Sequence, residues 1–188
     1  MGRAAKLALT GPRRGARAIE RVGMFEIGAV DGAAKPELYR ELAQSLRGLL
    51  EGERDITANA ANTAALLAML LPDLNWAGFY FTRDAGELVL GPFQGKPACV
   101  RIPAGRGVCG AAAAAGRSVL VRDVHEFPGH IACDTASQSE LVVPLIVGGR
   151  VMGVIDLDSP LVGRFDAEDQ RGIEQVAAIF AAACDWAL

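Results

Sequence analysis

The chain predicts an α+β fold: a central, mainly antiparallel β-sheet with N- and C-terminal helices packed on one face. Three observations carry this reading. Apolar side chains recur at helical spacing in the stretch after Pro36 and again after Phe165. Between them, residues 76–159 break into short apolar or aromatic runs separated by turn residues. The clearest of those turns, Gly148-Gly149, joins "ELVVPLIV" to "RVMGVIDLDS" as a hairpin. No internal repeat and no second domain is visible.

Taken in order, "PELYRELAQSLRGLLE" sets Leu38, Tyr39, Leu42, Leu46, Leu49 and Leu50 on one stripe behind Pro36, a residue favoured at the first helical position. Asp55 is the N-cap candidate for a second, alanine-rich helix that stops before Pro72. "WAGFYFT" and "ELVLGPF", joined through the turn at 84–86, read as a hairpin, and "ACVRIP" as a third strand. "GRGVCGAAAAAGRS" predicts a short helix entered through glycines and left at Gly116, followed by the brief strand "VLV". "RDVHEFPGHIACDTASQS" then runs for eighteen residues without periodicity. Inside a compact domain a loop of that length is functional or disordered. After the Gly-Gly hairpin, a capping aspartate and acids in the first turn open the last helix.

At 51% hydrophobic and 22% charged, the composition is globular, and no apolar run reaches the ~20 residues of a membrane helix. Residues 1–23 hold six cations against the single acid Glu20, so the remaining thirteen cations and twenty-one acids give the body a formal charge of −8. An acidic body argues against a nucleic-acid footprint. The basic leader reads as a disordered tail, an over-extended start with translation from Met24, or an Arg-rich transit segment. The domain is accordingly placed at 24–188. Four cysteines are too sparse for a secreted scaffold and indicate a reducing, cytoplasmic compartment.

Cys99, Cys109 and Cys133 lie within thirty-five residues. Steps of ten and twenty-four residues, with no C-x-x-C and no H-x-x-x-H, argue against zinc. Thiol redox chemistry fits better, since it needs a reactive thiolate and a second thiol on a mobile or adjacent segment. Cys133 in the long loop and Cys99 beside Gly95, Lys96 and Pro97 meet that description; Cys109, in the small-residue helix, could equally be packing. Cys184 reads as core.

Asp156 and Asp158 in "IDLD" point to one face of a strand. Like charges sharing a face are costly to bury unless a cation or proton joins them. An ideal two-residue hairpin sets Glu140 opposite Leu157, pointing away from that pair, so its convergence would need a bulge, a longer turn or a position still in the loop. Trp76 and Tyr80, four apart on a strand, share a face and could form an apolar wall. His125 and His130 flank the loop, where a surface histidine is the commoner finding.

"NWAGFY", "GPFQGKPACVRIPAGRGVCG", "DVHEFPGHIACDTASQSELVVP" and "GVIDLDS", in this order, closely resemble the free methionine-(R)-sulfoxide reductases, enzymes of the GAF fold, over about residues 36–186. The resemblance implies a GAF-like sheet with Cys133 as nucleophile, Cys99 as resolving thiol and Cys109 as a second candidate. It implies that Glu140, Asp156 and Asp158 bind the substrate and that Trp76 and Tyr80 wall it, overriding the ideal register for Glu140. It further implies a sulfenic acid, an intramolecular disulfide recycled by thioredoxin, no metal or organic cofactor, and a homodimer. A GAF-type redox sensor and a peroxide-reducing thiol enzyme are the rival readings; the second does not explain the acids.

Overall fold

The computed structural model describes residues 34–131 and 134–186. The expectations of a leader over 1–23 and a start at Met24 lie outside the described residues. The order is α1 (Lys35–Leu49), α2 (Ile56–Leu70), β1 (Trp76–Thr82), β2 (Leu88–Gly95), β3 (Arg101–Ile102), α3 (Gly107–Ala115), β4 (Val119–Val121), β5 (Ser139–Val147), β6 (Arg150–Ser159) and α4 (Ala167–Ala183). These strands form one sheet in the order β3-β2-β1-β6-β5-β4, with every neighbouring pair antiparallel. The α+β architecture read from the sequence is the one observed.

Local chemistry explains the boundaries. Asp55 accepts the Ala58 N–H at the start of α2, and Asp166 and Asp169 close a capping box at the start of α4. Gly116 ends α3 in the left-handed region at φ 59°. The third strand is shorter than "ACVRIP" suggests: only Arg101 and Ile102 pair with β2. Pro97 and Pro103 bracket it, and neither can donate to a ladder.

One face of the sheet carries the helices. α2 packs on β1 and β2, α4 on β5, and α1 lies against α4. The core between them buries Leu42, Leu46, Leu67, Phe79, Ile155 and Phe180 completely. Gly172 admits α1, because a Cβ there would lie 2.2 Å from the Tyr39 ring. The Tyr39 hydroxyl donates to the buried Asp169 carboxylate at 2.8 Å, which also pairs with Lys35 at 2.6 Å and Arg164 at 2.9 Å. α3 packs on β5 and β6, in a second apolar cluster with Trp76, Tyr80, Val142 and Val154.

Candidate active site

The face opposite the helices is assembled by register. Across β1 and β6, Trp76 stands opposite Asp158, Gly78 opposite Asp156 and Tyr80 opposite Val154. Residues directly opposite share a face. The Gly148-Gly149 turn holds Val147 against Arg150 as a two-residue hairpin should, but the register then slips between Leu145 and Ile146: Ile146 pairs with Val151 and Leu145 with Gly153, leaving Met152 as the extra residue. That bulge moves every later pair by one, so Glu140 falls opposite Asp158 rather than Leu157. The ideal hairpin register is thereby corrected, and Glu140, Asp156 and Asp158 line one cavity.

Trp76 and Tyr80 form its wall. Their rings stack at 5.9 Å, and Trp76 also stacks on Phe93 at 5.2 Å. Gly78 makes room for this, since a Cβ there would stand 2.6 Å from the indole and 2.4 Å from the Phe93 Cβ. The Trp76 Nε1–H donates to the Lys96 carbonyl at 3.2 Å and the Tyr80 hydroxyl to the Cys99 carbonyl at 3.1 Å. The wall therefore fixes the segment that carries Cys99.

The acids are held in an unfavourable place for a charge. Glu140 is 5% and Asp156 6% exposed, and burial pushes both carboxyls, with that of Asp158, well above the usual carboxylate range. Mutual repulsion adds to it: Asp158 acts on Glu140, Glu140 on Asp156, and Asp156 on Asp158. Oδ1 of Asp156 is buried with no hydrogen-bond partner. The His130 Nε2 is 3.6 Å from Glu140, but burial lowers the histidine's pKa, so it supplies no firm positive charge. His125 is exposed.

The thiols differ. Cys99 is half-buried and disulfide-bonded, while Cys109 and Cys184 are free and buried. Burial, then the charges of Asp156 and Glu140, push the Cys109 thiol well up, which makes it a poor thiolate. Cys184 sits in the helix-side core, where Asn59 Nδ2 donates to its sulfur at 3.5 Å. Cys133 lies outside the described residues. Its chain neighbour Asp134 is anchored by Lys96 at 3.2 Å, by the Ala136 N–H at 2.9 Å and by Asn75 Nδ2 at 3.3 Å. Those donors hold its carboxyl below the usual range, the Ala136 N–H foremost.

Sequence reasoning missed Gly78, Asn75 and the Lys96–Asp134 pair. Gly78 alone left a signal, a small residue flanked by aromatics at i−2 and i+2; the others are joined only by folding.

The GAF domain family model matches residues 55–185. The free methionine-R-sulfoxide reductase of Escherichia coli (strain K12) is 54% identical over 144 residues, 77% of this chain and 87% of that protein. The one from Saccharomyces cerevisiae is 42% identical over 157 residues, 80% of this chain and 87% of that protein. The X-ray structure of free methionine-R-sulfoxide reductase from Neisseria meningitidis in complex with its substrate superposes with a TM-score of 0.78 at 45% identity, covering 80% of this chain and 90% of that one. The chain belongs to the GAF domain family and, within it, to the free methionine-R-sulfoxide reductases.

Proposed function

We propose that the chain reduces free L-methionine-(R)-sulfoxide to methionine, with Cys133 as nucleophile and thioredoxin as the final reductant. The observation that carries this reading is the convergence of the buried Glu140 and Asp156 with the half-buried Asp158 beside the Trp76 and Tyr80 wall. A free amino acid brings an ammonium for the acids and a small apolar sulfoxide end for the rings. Peptide-bound methionine sulfoxide brings an amide nitrogen instead and would leave the carboxylates unpaired, which is the stronger ground for rejection.

The Cys133 thiolate attacks the sulfoxide sulfur while a pocket carboxyl, kept protonated by burial, donates its proton to the oxygen. The transient bond between Cys133 Sγ and the substrate sulfur then breaks with its electron pair left on methionine, as the S–O bond breaks and its protonated oxygen passes to Sγ. Methionine leaves reduced by two electrons and Cys133 is left as a sulfenic acid. Cys99 then condenses with it, forming a disulfide and releasing water. A dithiol such as thioredoxin returns two electrons and two protons. The disulfide-bonded state of Cys99, with Cys109 and Cys184 free, supports Cys99 over Cys109 as the resolving thiol.

The test is turnover of the R and S epimers of free methionine sulfoxide with thioredoxin or dithiothreitol. Wild type should consume the R epimer only, Cys133→Ser neither, and Cys99→Ser should retain turnover with dithiothreitol while losing it with thioredoxin. Absence of turnover on both epimers by the wild type would sink the reading.

A further inference from the structure

The pocket gathers a second constellation that no sequence spacing announces. Cys109 Sγ from α3, a Glu140 oxygen from β5 and an Asp156 oxygen from β6 lie within 4.8 Å of one another, all in buried residues. Cys109 Sγ is 3.9 Å from Glu140 Oε1. The unpartnered, buried Oδ1 of Asp156 shows that the cluster holds an acceptor the protein itself leaves unsatisfied. Ligands around a tetrahedral zinc, with bonds of about 2.0–2.3 Å, stand about 3.3–3.8 Å apart. Side-chain rotations that close the trio by about 1 Å therefore suffice.

We propose that Cys109, Glu140 and Asp156 form a site for a soft divalent cation, Zn2+ or Cd2+, and that the metal and the substrate's ammonium exclude one another there. The ligand set decides the class of ion. A thiolate favours zinc or cadmium, whereas magnesium and calcium take oxygen ligands. Three anionic ligands over-neutralise a divalent charge by one, and the cavity they share with Trp76 and Tyr80, about 30 Å³, admits a water as fourth ligand. Metal entry displaces the protons that otherwise keep these groups neutral. The exclusion rests on the reductase reading, because it needs the ammonium to occupy the same carboxylates; the metal site does not.

The experiment titrates the oxidised full chain, carrying Cys184→Ala so that no core thiol competes, with cadmium chloride alone. The readout is the thiolate-to-cadmium charge-transfer absorption. One equivalent should saturate the band, Cys109→Ser should abolish it, and Asp156→Asn should weaken binding at least tenfold. A band that survives Cys109→Ser, or an affinity unchanged by Asp156→Asn, overturns the site. Free methionine sulfoxide should raise the apparent cadmium Kd as it saturates the pocket; an unmoved Kd overturns the exclusion. Normal sulfoxide turnover without cadmium binding overturns the metal site alone. Cadmium binding with the expected variant effects, in a protein that turns over neither epimer, supports the site and overturns the reductase reading.

Discussion

Along β6, Ile155 and Leu157 are fully buried in the helix-covered core, while Asp156 and Asp158, one residue away, face the pocket. The same alternation runs through β1, where Ala77, Phe79 and Phe81 join the core and Trp76 and Tyr80 the wall. On the helix side apolar groups meet apolar partners, and burial stabilises the fold. On the pocket side burial opposes it, since carboxyls there lose water and gain neighbours of their own charge. A pocket face of this kind persists because the other face of the same strands offsets it.

Three substitutions can break that comparison. Phe79→Ala should cost the most, about 3–5 kcal/mol by urea unfolding, because it empties a fully buried ring against Phe180 at 4.7 Å. A loss below ~1 kcal/mol would show that the helix side does not carry the sheet. Asp156→Asn should weaken methionine sulfoxide binding by about 2–3 kcal/mol, roughly 30- to 150-fold in Kd, through loss of a charged partner for the ammonium. The same change should leave unfolding stability level or higher, since it removes a buried ionisable group; a fall would mean the acid serves structure. Gly78→Ala should cost about 1–3 kcal/mol by forcing the Trp76 ring from its place, with KM rising as the wall shifts. An unchanged KM would detach Trp76 from the substrate.

Both faces were legible in the sequence to different depths. Period-two alternation in "IDLD" and "WAGFY" separates core from pocket positions, and helical stripes with caps at Asp55 and Asp166 mark the elements, because these signals are local. Glu140 was not legible from spacing. Its face depends on one extra residue, Met152, and nothing in "VGGRVMGV" announces that insertion, so only the family motif placed the acid correctly. The Lys96–Asp134 pair and the nearness of Cys109 to Glu140 and Asp156 were hidden for another reason. Each joins segments more than thirty residues apart that meet only in the folded chain. Zinc spacing rules address ligands in local pairs and do not see such a cluster.

The most gradual effect, the slope of stability against pH, tests the comparison without touching the core. Glu140, Asp156 and Asp158 hold protons in the fold at pH values where the unfolded chain has lost them, since an unfolded aspartate titrates near 3.8. Below that pH both states are protonated and no penalty arises. As pH rises, the folded state binds more protons than the unfolded one, so unfolding free energy falls by up to about 1.4 kcal/mol per unit for each retained proton, until the folded groups themselves ionise. The unfolding midpoint of the ligand-free protein should therefore decline from about pH 4 toward neutrality. Asp156→Asn should flatten the decline by removing one such proton and easing the repulsion on its neighbours. Phe79→Ala should lower the curve without changing its shape, because its ring partners Phe81 and Phe180 do not titrate. A pH profile that Asp156→Asn leaves parallel to wild type would mean that the pocket carboxyls are ionised in the empty protein, and the contrast between the two faces would then rest on shape alone.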